Sequence, residues 1–127
     1  MKRKKTILVI EDEISLLGAI KIKMEKNNFS VIEARSVEQA KKKITDTDKV
    51  DAIWLDHYLL GKENGLDFVS WCKKGDAEFK KIPIFIVSNT ATSDKIHEYM
   101  MFGITKYYIK SEKRLEEIID EIKKQLT

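Results

Sequence analysis

The stretch Thr6-Ile7-Leu8-Val9-Ile10-Glu11-Asp12-Glu13 runs five β-forming residues straight into three acids. An apolar run without alternation fits a strand covered on both faces, the usual condition in a parallel sheet. Acids at its carboxyl end stand where open sheets of this kind present their chemistry. Four further runs follow: 30–34, Asp51-Ala52-Ile53-Trp54-Leu55, Ile84-Phe85-Ile86-Val87 and Lys106-Tyr107-Tyr108-Ile109. Runs one, three and four are almost continuously apolar. Pro83 sits just ahead of run four, where a missing N–H does least harm.

The stretches between the runs carry helical signals. Leu17, Ile20 and Met24 recur at helical spacing in the first. Ser36-Val37-Glu38-Gln39 is a capping-box pattern that opens the second. Leu66, Val69 and either Trp71 or Cys72 stripe the third. The fourth spans residues 93–102 and stops at Gly103, a residue suited to ending a helix. In the last, Leu115, Ile118, Ile119, Ile122 and Leu126 make one apolar face, and Ser111 is placed to cap it. Five strands alternating with five helices predict an α/β fold, a doubly wound parallel sheet with helices on both faces and right-handed crossovers.

Bulk composition agrees. A chain of 127 residues suffices for one domain, 1–127, with its own core. At 43% hydrophobic and 35% charged it is not a disordered chain. The net charge of +3 is too small a surplus to mark a nucleic-acid protein, so no direct nucleic-acid binding is expected. No apolar stretch approaches the ~20 residues of a membrane span. The run after Met1-Lys2-Arg3-Lys4-Lys5 is too short for a secretion signal, and no membrane insertion is expected. The lone cysteine, Cys72, cannot form an internal disulfide and favours a reducing, cytoplasmic setting.

The ends of the runs carry an uneven set of side chains. Run one ends in Glu11-Asp12-Glu13, run three in Asp56, run four in Ser88-Asn89-Thr90 and run five in Lys110. With these strands as neighbours, the groups converge on one edge of the sheet. Crowded carboxylates do not all stay ionised without help. A hard divalent cation relieves them, and a set of oxygen ligands suits Mg²⁺. A metal beside a lysine makes a pocket for a phosphoryl group, whose transfer asks mainly for positioning and charge neutralisation. An Asp carboxylate there is itself a competent nucleophile. Ser88 and neighbouring backbone N–H groups are placed to hold the other phosphoryl oxygens.

This constellation resembles the receiver domain of two-component response regulators, the CheY-like superfamily. The resemblance covers essentially the whole chain. It rests on Glu11-Asp12, Asp56, Ser88, Tyr107 and Lys110 in order, with 44 residues from Asp12 to Asp56 and 22 from Ser88 to Lys110. It implies a flavodoxin-like (βα)5 sheet in the order 2-1-3-4-5. It also implies that Asp56 accepts a phosphoryl group from a histidine kinase or histidine phosphotransfer protein. Asp12, Asp56 and the Tyr58 backbone carbonyl would bind Mg²⁺ directly, with Glu11 helping through water. Ser88, the Asn89 N–H and Lys110 would contact the phosphoryl group, and Tyr107 would move when Ser88 is drawn toward it. The implied protein is a signalling switch rather than a turnover enzyme. It would act on a downstream protein target through the fourth helix, fifth strand and last helix, with no output domain of its own.

Departures from the family pattern keep a second reading open. Leu60 stands where a proline is frequent, and the loop from Asp56 to Gly65 is one residue longer. Asn89 occupies a position where a smaller residue is usual. Ser111 replaces a proline whose peptide bond is commonly cis. A non-proline cis bond costs ~2.5–4 kcal/mol, so a trans or a strained cis Lys110–Ser111 bond is expected. These changes motivate the alternative of a phosphate-independent receiver-like interaction module. An aspartate-dependent phosphohydrolase fits less well, because run one is not followed by Asp-x-Asp. A flavin carrier conflicts with three acids where its phosphate would lie.

Other residues have plainer readings. His57 follows Asp56, but successive strand residues face opposite ways, so a structural or exposed role is expected. His97 belongs on a helix surface, and Cys72, Trp54 and Phe85 belong in the core. The lysine clusters 2–5 and 41–43 read as solvated faces. Met100, Met101, Phe102, Tyr107 and Tyr108 must be core in part, leaving an adaptable apolar surface suited to docking.

Overall fold

The computed structural model of the chain describes residues 3–89 and 92–127. Its strands are β1 (Lys5–Ile10), β2 (Phe29–Ala34), β3 (Ala52–Leu55), β4 (Ile84–Ser88) and β5 (Lys106–Ile109). Its helices are α1 (Ile14–Lys26), α2 (Val37–Asp46), α3 (Gly65–Lys74), α4 (Ala77–Lys81), α5 (Ser93–Met101) and α6 (Leu115–Leu126). All strand pairings are parallel, in the order β2-β1-β3-β4-β5. The expected sheet and strand order are therefore present.

The continuous apolar runs are explained by two cores, one on each face. Ile7, Val9, Trp54, Phe85 and Val87 point toward Leu17, Ile20 and Met24 of α1 and Ile118, Ile119 and Ile122 of α6. Leu8, Ile10, Ile53, Leu55, Ile84 and Ile86 point the other way, toward Val37, Ala40 and Ile44 of α2, Phe68, Val69 and Cys72 of α3, and Tyr99 of α5. Alternate residues of one strand thus feed different layers, and both layers are lined almost entirely by apolar side chains. Each fully buried aliphatic or aromatic side chain contributes about 1.5–3 kcal/mol of transfer free energy. Among the described residues, no helix is long and apolar enough to cross a membrane.

Several local expectations need correction. Among the described residues there are six helices, not five. The extra one, α4, has five residues and no buried position, so it leaves no apolar stripe to read. Ser111 does not cap the last helix. The chain first turns after β5, with Glu112 N–H bonded to the Ile109 carbonyl at 3.0 Å. The helix then begins at Leu115 behind Arg114, whose N–H donates to the Glu117 carboxylate at 3.2 Å. Ser36 does cap α2 by accepting from Gln39 N–H at 3.1 Å, but Gln39 reaches past it to accept from Arg35 N–H at 2.8 Å. In α3 the buried stripe includes Phe68, and Cys72 rather than Trp71 completes it. The Lys110–Ser111 peptide is trans.

Candidate functional site

The hydrogen-bond ladders of the sheet do not stop where the strands do. Glu11 N–H bonds the Ala34 carbonyl at 3.0 Å, Asp56 N–H bonds the Ile10 carbonyl at 3.0 Å, and Lys110 N–H bonds the Ser88 carbonyl at 2.9 Å. Three residues singled out from the sequence therefore occupy terminal rungs of the sheet. Their side chains meet. Lys110 Nζ donates to Glu11 Oε1 at 2.8 Å and to Asp56 Oδ2 at 3.1 Å. Glu11 is 1% exposed and Asp56 5%, so both carboxylates sit largely out of water. Asp12 is half-buried beside them, and one carboxylate oxygen from each of Glu11, Asp12 and Asp56 lies within 4.8 Å of the others.

The electrostatics follow from burial and crowding. Burial pushes the Glu11 carboxyl up to about 7, against the Lys110 hydrogen bond and with the help of the Asp56 charge. Burial alone would lower Lys110, but the bonds and charges of Glu11 and Asp56 outweigh it and hold the ammonium above its ordinary value. One ammonium facing Glu11 and Asp56, with Asp12 alongside, leaves an excess of negative charge. A divalent cation offsets such an excess, and three carboxylates form the hard oxygen set that Mg²⁺ accepts. The residues present thus fit that ion.

The remaining sequence-predicted residues lie around this centre. Ser88 ends β4 and is fully buried, and its side chain shares a hydrogen bond with half-buried Tyr107 of β5. Asn89 follows it and is exposed, while Thr90 lies outside the described residues. Tyr58 is in the loop after β3 with its side chain 62% exposed. His57 is buried, in the structural role expected of it, and its Nδ1 lies 2.6 Å from the Tyr99 hydroxyl. Cys72 is buried, and burial pushes its thiol up to about 12, which suits packing rather than reactivity. Leu60 has a local reason to differ from proline: its N–H donates to the Arg35 carbonyl at 3.2 Å, a bond proline cannot make.

Two residues escaped the reading of the sequence. Arg35 follows β2, and its Nε and Nη2 grip the Asp12 carbonyl at 3.0 and 2.7 Å. Its signal was position, a basic residue at the end of run two, on the same edge as the other groups. Tyr99 is fully buried in α5, where a tyrosine among exposed neighbours gave little sign of its depth.

Comparisons with known proteins agree with this fold. The family model described as response regulator receiver domain matches residues 7–123. A CheY-like receiver domain protein from Methanospirillum hungatei is similar with a TM-score of 0.85 and 18% identity, over 98% of this chain and 94% of that one. The phosphorylated cyanobacterial phytochrome response regulator RcpA is similar at 0.86 and 22%, over 98% and 94%. The chemotaxis protein CheY4 of Vibrio cholerae is similar at 0.86 and 18%, over 98% and 100%. At these identities the likeness concerns the fold. No curated protein matches the chain significantly.

Proposed function

The chain belongs to the response regulator receiver domain family, a module of two-component signalling, and from that premise we propose that it is a switch set by phosphorylation of Asp56. The observation that carries the reading is the meeting of Lys110 with Glu11 and Asp56, with Asp12 within reach of the same point. A buried carboxylate held by a fixed ammonium is a poised nucleophile with its counter-charge already in place.

In this reading an Asp56 carboxylate oxygen attacks the phosphorus of a phosphohistidine on a kinase or phosphotransfer protein. The O–P bond forms as the N–P bond breaks, and the imidazole departs with its electron pair and takes up a proton. Asp12, Asp56 and the Tyr58 carbonyl would hold Mg²⁺, with Glu11 in support. When bound, Mg²⁺ neutralises charge on the carboxylates and the phosphoryl oxygens. Lys110 turns from a carboxylate to a phosphoryl oxygen, and Ser88 with the Asn89 N–H takes others. Drawing Ser88 inward loosens its bond to Tyr107, which connects the site to the surface of α5, β5 and α6. Met100 and Met101 on that surface are 49% and 74% exposed, an adaptable apolar contact for a downstream protein. The chemistry asks for no turnover of an external substrate, and the lone buried Cys72 suits a cytoplasmic setting.

The test is mass spectrometry after exposure to a small acyl phosphate with Mg²⁺. The expected result is one phosphoryl adduct on the wild type and none on Asp56→Asn. A wild type that gains no mass, while its fold responds to neither Mg²⁺ nor phosphodonor, favours the phosphate-independent interaction module instead.

A further inference from the structure

Helix α5 is held to the body of the protein by little apolar surface. Of its residues 93–101, Tyr99 is the one that is fully buried. The Tyr99 hydroxyl lies 2.6 Å from Nδ1 of His57, the residue directly after Asp56, and both side chains are buried. A hydroxyl and a ring nitrogen at that separation share one hydrogen bond, and burial keeps water from replacing it.

The contact extends in two directions. Toward the loop, the hydroxyl lies over Gly65, where an added Cβ would come within 2.6 Å of it and 2.7 Å of the Asp56 carbonyl oxygen. Gly65 N–H in turn donates to the His57 carbonyl at 2.9 Å. Toward the sheet edge, the Tyr99 ring packs on Tyr107 with centroids 5.7 Å apart, and Tyr107 bonds Ser88. Buried hydrogen bonds in such a setting are costly to leave unmade, so the two ends of the bond tend to move together.

We infer that the His57–Tyr99 hydrogen bond is a positioning link through which the state of Asp56 reaches α5, alongside the Ser88–Tyr107 contact. It rests on the phosphorylation reading given above. A shift of the backbone at Asp56 displaces His57, and the bond carries that displacement to the buried anchor of α5. The exposed Met100 and Met101 follow, since they share the same helical turn.

The experiment uses the full chain as wild type, Tyr99→Phe and His57→Leu. Tyr99→Phe keeps the ring and removes the hydroxyl. Each protein is weighed after treatment with an acyl phosphate and Mg²⁺. Amide exchange across residues 93–101 is then measured with and without Mg²⁺ and beryllofluoride, a phosphoryl mimic. The wild type is expected to gain one phosphoryl group and to change exchange across α5 by about threefold or more. Tyr99→Phe is expected to gain the same mass and to lose most of the α5 response, and His57→Leu to do likewise. If either folded variant keeps the wild-type α5 response, the link is overturned while phosphorylation stands. A wild type that gains no mass and shows no response to beryllofluoride overturns the phosphorylation reading, and this inference with it.

Discussion

Lys110 Nζ lies 2.8 Å from Glu11 Oε1, joining residues 99 positions apart in the chain. The pair is mostly out of solvent, with the lysine side chain 19% exposed and the glutamate 1%. Removing one partner of such a pair leaves the other buried without compensation. Lys110→Met keeps the stem and removes the charge. It is expected to lower metal-free stability by about 1–3 kcal/mol at pH 8, a reduced figure because the lysine is partly solvated. Urea denaturation in chelator checks this, and Mg²⁺ should recover part of the loss.

Glu11 gives the pH dependence its sign. Its carboxyl titrates near 7 in the folded chain and near 4.5 when unfolded, so between those values the folded form holds a proton that the unfolded form has released. Metal-free stability from this group therefore falls as pH rises from about 4.5 to about 7, by at most about 1.4 kcal/mol per pH unit. Glu11→Gln removes that fall. Denaturation of both proteins at a series of pH values should show the variant gaining on the wild type across this window.

Arg35 holds the Asp12 carbonyl with two donors. Groups that orient metal ligands without touching the ion are typically worth 10–100-fold in affinity. Arg35→Ala is expected to weaken Mg²⁺ binding by about tenfold, read by Trp54 and Trp71 fluorescence. The metal-free fold should lose only about 1 kcal/mol. Equal Mg²⁺ affinity in the two proteins would show that Asp12 is held by other means.

Gly65 admits no side chain. A Cβ would stand 2.6 Å from the Tyr99 hydroxyl and 2.7 Å from the Asp56 carbonyl oxygen. Gly65→Ala is expected to cost about 1–3 kcal/mol through overpacking. Adding Tyr99→Phe relieves one clash and leaves the backbone one, so rescue in the double variant should be partial. Thermal melting of the single and double variants checks the order.

The strands were legible because each is packed on both faces. Ile7, Ile53 and Phe85 had no polar option, and their runs announce a covered parallel sheet. The site was legible for a related reason: Glu11, Asp56 and Lys110 each follow an apolar run directly, so locating the runs located the groups. Arg35 was not legible because it acts through guanidinium contacts to a backbone carbonyl, which its residue type alone does not declare. Tyr99 was hidden for another reason. Its depth comes from a partner 42 residues away, His57, and not from any periodicity of α5. Helix α4 left no trace because it has only five residues, none fully buried, and Phe79 alone packs against the core.

Glu11, Asp56 and Lys110 are the outermost rungs of the sheet's ladders. Fraying of strand ends is among the first motions that heating releases. On the phosphorylation reading proposed above, fraying there and loss of phosphoryl uptake would be one event. Uptake is then expected to fail some degrees below the melting temperature, at a point set by the fringe of the sheet rather than by its core.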